Sequence, residues 1–94
     1  MPHFLVEYRQ SGTAEARTQY RADHIGYRKS FGDRMPLAGP LLDDAGESIG
    51  SLIILEVADK AAATEAATGD PYVKNGVLEL VSVRPFRIAA IKAV

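Results

Sequence analysis

Cysteine is absent from the 94-residue chain, which excludes a disulfide framework and any thiolate metal site. Histidine is scarce: His3 and His24 are the only two, poor material for a transition-metal centre. Long apolar runs are missing too. The longest, Leu52-Ile53-Ile54-Leu55, falls far short of the roughly 18 residues a membrane-spanning helix needs and of a signal-peptide core. Met1-Pro2-His3-Phe4 carries no basic leader and enters a strand-like pattern at once, so a cytoplasmic setting is expected. Charge bias is lacking as well, with 11 basic residues against 12 acidic ones and a net charge of −1. That balance points away from nucleic acid and membrane surfaces as partners. Gly46 and Gly50 match neither the phosphate loop nor the dinucleotide fingerprint, and Ser51 lacks a nucleophile-elbow context. No cofactor is expected.

What remains is a globular composition, 47% hydrophobic and 24% charged, of a length that fits a single domain over residues 1–94. A domain this small buries only about 60–70% of the surface its unfolded chain exposes. Without disulfides it relies on its core or on a second copy.

Residues 3–9 are rich in β-formers and read as a strand, broken at Ser11-Gly12. From Thr13 to Phe31 the spacing turns helical: Tyr20, His24, Tyr27 and Phe31 follow at steps of four, three and four and share a face. Arg17, Arg21, Arg28 and Lys29, interspersed with Glu15 and Asp23, read as a solvated helix face. Gly26 is expected to mark close packing within this helix. Residues 34–42 form a second strand, confined to a sheet edge by Pro36 and Pro40. After a turn at residues 43–48, residues 49–57 make a strand apolar on both sides, hence buried on both faces. Asp59 caps a helix over Lys60–Thr68 that Gly69 stops. Residues 70–76 are a tight turn holding one short helical turn. Residues 77–83 form a strand with Val77, Glu79, Val81 and Val83 on one face; Arg84-Pro85 interrupts it, and residues 86–91 add a short final strand.

The order β-α-β-β-α-β describes an α+β fold, the ferredoxin-like plait. Two helices cover only one face of a four-stranded sheet, yet these strands are apolar on both. A soluble monomer does not leave such a patch open, so a homodimer with two sheets packed face to face is expected.

Few residues offer chemistry. His3, beside the terminus, reads as exposed. His24 lies on the apolar helical stripe, as a satisfied core histidine or as a general base. Asp70, between Gly69 and Pro71, suits a helix cap. It also suits an acceptor for one nitrogen of His24, which would fix the tautomer and leave the other nitrogen basic. Asp43-Asp44 is a solvated turn, and no metal site is expected.

The ordered blocks 21–27 (Arg-Ala-Asp-His-Ile-Gly-Tyr), 37–43 (Leu-Ala-Gly-Pro-Leu-Leu-Asp), 50–54 (Gly-Ser-Leu-Ile-Ile), 69–72 (Gly-Asp-Pro-Tyr) and 83–86 (Val-Arg-Pro-Phe) span nearly the whole chain. Together they resemble the YciI-like, or YCII-related, family. The resemblance implies a dimeric α/β barrel of ferredoxin-like protomers and an active site of a histidine and an aspartate, here His24 and Asp70. It places Ser51 close to that pair and Gly39-Pro40-Leu41 along the same cleft. Most members have no established reaction; the family resembles muconolactone isomerases, and a few relatives are dehydrochlorinases. Gly26 departs from the bulkier residue usual at its position, which implies a roomier surround for His24.

The expected function is a small cofactor-independent enzyme acting on a small, partly apolar, oxygenated molecule. His24 is its general acid or base, Asp70 orients His24, and Ser51 and Tyr72 bond substrate oxygens. Isomerisation or elimination suits a lone base better than hydrolysis, for want of a nucleophile. The alternative is a dimeric ligand-binding or interaction module without turnover.

Overall fold

Along His3–Gln10 (β1), buried Phe4, Val6 and Tyr8 alternate with half-buried His3, Leu5 and Glu7, the period-two signature of a strand with one face on the core. In the computed structural model, which describes residues 1–91, β1 is central. It pairs antiparallel with Ser48–Glu56 (β3) on one side and Leu78–Phe86 (β4) on the other. Leu37–Leu42 (β2) joins the outer side of β3, giving the order β2-β3-β1-β4. With helices Ala14–Lys29 (α1), Lys60–Thr68 (α2) and Pro71–Lys74 (α3), this is an α+β fold that matches the ferredoxin-like plait.

Both longer helices begin on capped N-termini: Thr13 Oγ1 accepts the Ala16 N–H at 3.1 Å and Asp59 Oδ1 accepts the Ala62 N–H at 2.8 Å. Ala63 and Ala67, one turn apart on α2, are buried in a core with Phe4, Val6, Tyr8, Ile53, Leu55 and Val83. Their small side chains let α2 lie close on the sheet. α1 behaves differently. None of its residues is fully buried, Ala16 and Tyr20 reach the core only in part, and it packs chiefly against α3. The other face of the sheet has no helix over it. There Leu5 and Leu37 flank Ile54 across the strands; Leu37 is 47% exposed and Phe86 41%.

Several expectations are corrected. β4 runs through Pro85 without interruption, and no strand follows within residues 87–91. As an outer strand, β4 tolerates a residue with no N–H. A bulge sets Ser82 opposite Glu7 and Leu80 opposite Tyr8, leaving Val81 unpaired and 48% exposed. The bulge shifts the alternation, so Val83 shares the core face with Leu78 and not with Val81. Arg34 lies in a short 3-10 turn before β2. His3 is not free: its Nε2 lies 3.2 Å from Glu56 Oε2, directly across the β1–β3 ladder. Gly26 is not a packing point either, since a Cβ there meets nothing within 4 Å.

Gly50 carries the close approach instead: a Cβ there collides with the Tyr8 carbonyl oxygen. Gly26→Ala therefore raises stability by about 0.5–1 kcal/mol through helix propensity. Gly50→Ala lowers it by about 1–3 kcal/mol through forced strand separation. Urea unfolding midpoints shifting in opposite directions check both; equal shifts contradict the assignment.

Candidate functional site

His24 and Arg28, one helical turn apart on α1, both reach Asp70, which caps α3. Asp70 is 1% exposed. Its Oδ1 accepts the Tyr72 N–H at 2.9 Å, so the cap and the acceptor foreseen as alternatives are one carboxylate. His24 Nδ1 lies 2.8 Å from both carboxylate oxygens, and Arg28 Nε donates to Oδ2 at 3.1 Å. An ionised carboxylate only accepts, so Nδ1 holds the proton and Nε2 is left as the basic nitrogen. Among the described residues Nε2 has no hydrogen-bond partner, yet it is not one of the sealed unpartnered atoms; His24 lines an open cleft. Burial pushes the Asp70 carboxyl up. The His24 and Tyr72 hydrogen bonds, with the charge of Arg28, outweigh that and hold it below its ordinary value.

Tyr72 fixes the imidazole from the side: the rings stack at 3.9 Å with planes 7° apart. Its hydroxyl donates to the Arg17 carbonyl at 2.9 Å. Arg28 continues inward, its Nη1 donating to Ser51 Oγ at 2.8 Å while its guanidinium sits 5.3 Å from the centre of the Tyr8 ring. Ser51 in turn reaches the Gly39 carbonyl at 3.4 Å. Burial raises the Tyr8 hydroxyl well above its ordinary value; that hydroxyl stays protonated and donates to the Ala67 carbonyl at 3.0 Å.

A cleft of about 330 Å³ opens between α1 and the β2–β3 edge. Polar His24 and Arg28 keep α1 from settling onto the sheet, and small Ala38, Gly39, Gly50 and Ser51 opposite leave space. Of the residues singled out from sequence, His24, Ser51, Tyr72, Gly39 and Pro40 line the cleft, with Asp70 bonded to His24 just behind. Leu41 is not among the lining residues; it alternates onto the other face of β2. The Ser51 and Tyr72 hydroxyl protons, expected to face substrate, go to backbone carbonyls because buried hydroxyls must find partners. Arg28 was missed altogether. Read as solvated, its side chain is 14% exposed, and its position four residues after His24 was the available signal. Arg17 and Arg21 also line the cleft. Among the described residues no three His, Asp or Glu side chains converge to hold a metal.

Known proteins share the family and the fold of this chain. The family model for the YCII-related domain matches residues 1–87. Protein YciI of Escherichia coli O6:H1 and Protein YciI of Shigella flexneri are each 35% identical over 95 residues, spanning 93% of this chain and 97% of theirs. Among solved structures, 5-chloro-2-hydroxyhydroquinone dehydrochlorinase (TftG) from Burkholderia phenoliruptrix AC1100, in complex with 2,5-dihydroxybenzoquinone, is similar in fold. Its TM-score is 0.65 at 21% identity, covering 90% of this chain and 92% of that one.

Asp70→Ala strips three donors of their acceptor and leaves the Arg28 cation buried without a counter-ion, costing about 3–5 kcal/mol. Because the folded carboxyl titrates below its unfolded value, its stabilisation is complete above about pH 4 and is lost as pH falls through the folded value. Urea unfolding at a series of acid pH values checks this: Asp70→Asn removes that component of the pH slope. An unchanged slope contradicts the assignment.

Proposed function

The chain belongs to the YCII-related domain family, and on that premise we propose that it is a small-molecule enzyme working by general acid–base chemistry, of isomerase or lyase type. The observation that carries this reading is the 2.8 Å contact of His24 Nδ1 with Asp70, which leaves Nε2 as the free base at the cleft. In the proposed step, Nε2 takes a proton from a carbon beside an oxygenated centre. The C–H electrons enter a new π bond. In an isomerisation the proton returns at another carbon; in an elimination a leaving group departs with its electron pair. Asp70 holds the imidazole in the required tautomer and balances the imidazolium that forms. Arg28 keeps Asp70 ionised, so the proton stays on histidine. No side chain of the cleft is placed as a nucleophile beside a base, which favours these reactions over acyl transfer. A substrate of the size and oxygenation of a hydroxyhydroquinone, the class named for the similar dehydrochlorinase, fits about 330 Å³.

The reading includes a homodimer. Leu37 and Phe86 stand 47% and 41% exposed on the sheet face that carries no helix, beside half-buried Leu5 and buried Ile54, and a second copy laid face to face would cover them. Light scattering at micromolar concentration is expected to give twice the 10.1 kDa chain mass. Leu37→Lys, at an already half-open edge position, gives the single-chain mass with an unchanged circular dichroism spectrum. A monomeric wild type removes the dimer.

Turnover is tested with a panel of small hydroxylated and chlorinated rings and unsaturated lactones. His24→Asn is expected to reduce kcat by about 10²–10⁴-fold while the circular dichroism spectrum shows the chain still folded. If His24→Asn turns over like wild type, the acid–base reading fails. If no panel member is consumed but several bind, the cleft is a binding site without turnover.

A further inference from the structure

Four polar side chains of α1 line the cleft: Arg17, Arg21, His24 and Arg28. Their steps of four, three and four put them on one helical face. The acids of the helix lie elsewhere, and neither Glu15 nor Asp23 lines the cleft. No Asp or Glu is among its lining residues at all. Arg28 is neutralised by Asp70, whereas Arg17 and Arg21 enter no ion pair among the described residues. At the inner end, Arg28 Nη2 is buried without an acceptor. The cleft is therefore locally cationic in a chain whose net charge is −1. Both free charges also reach the Tyr72 hydroxyl: burial raises it, and the charges of Arg21 and Arg17 offset part of that rise. The same Tyr72 ring stacks on His24. Apolar Ile25, Pro40, Val77 and Leu78 complete the lining.

From this arrangement we infer that Arg17 and Arg21 form a carboxylate-binding subsite, and that the molecule taken by the cleft is a small ring-bearing carboxylate. Along the axis Arg21 precedes His24 by about 4.5 Å and Arg17 by about 10.5 Å. A carboxylate held by Arg21 thus sets a carbon a few bonds away against Nε2, with the apolar body on Pro40 and Leu78. Guanidinium forks suit a planar carboxylate. The assignment of the reacting carbon rests on the acid–base reading of the same cleft; the anion subsite does not.

The test uses benzoate and its neutral isostere benzamide as probes, titrated into the full chain and followed by NMR amide shifts. Benzoate is expected to bind at least 10-fold more tightly than benzamide, shifting cleft residues and weakening as salt rises. Arg21→Gln and Arg17→Gln each weaken benzoate about 3- to 10-fold and leave benzamide unchanged. Lys29→Gln, a charge on the same helix outside the cleft, leaves both unchanged. Equal affinities for the two probes, no benzoate binding at millimolar concentration, or an equal effect of Lys29→Gln overturns the subsite. His24→Asn is expected to keep benzoate binding, so loss of turnover in that variant and loss of anion binding in the arginine variants report separate failures.

Discussion

The Asp70 carboxylate is the constraint on which the rest of the site depends. A carboxylate at 1% exposure has lost nearly all of its water, a penalty of several kcal/mol that only close donors and a counter-charge offset. It receives them from three directions: its own helix at Tyr72, and α1 at His24 and Arg28. Since α1 buries no residue completely, these polar contacts do for α1 what Ala63 and Ala67 do for α2. The two helices are held to the sheet by different physics. That difference accompanies the cleft on the α1 side.

The charge arrangement follows from the same point. With Nδ1–H on His24, the cluster of Arg28, Asp70 and His24 is formally neutral, one cation against one anion. Arg28 satisfies the Asp70 anion at Oδ2 and the Tyr72 amide does so at Oδ1, so each carboxylate oxygen has a donor besides the imidazole. The stacked Tyr72 ring holds the imidazole plane in place from the side.

Much of this was legible in sequence, though unevenly. The limits and cap of α2 were plain, because Asp59, an alanine-rich run and Gly69 are local signals. β2 was placed at an edge by its prolines, as found. Elements governed by partners were not legible. Pro85 reads as a strand breaker until β4 is known to be outermost, and the bulge at Val81 has no mark in the residues around it. Arg28 was hidden for the same reason: a basic residue among basic and acidic neighbours reads as solvated, and only the buried Asp70, far away in sequence, shows otherwise. His3 and Glu56 met through strand register, which composition does not encode.

One carboxylate oxygen serves two masters. Asp70 Oδ1 both ends the α3 backbone through the Tyr72 amide and receives His24, so forming that single helical turn and arming the imidazole are one event. The Tyr72 amide proton thereby becomes a built-in reporter: its rate of exchange with solvent follows the readiness of a side chain 48 positions earlier in the chain.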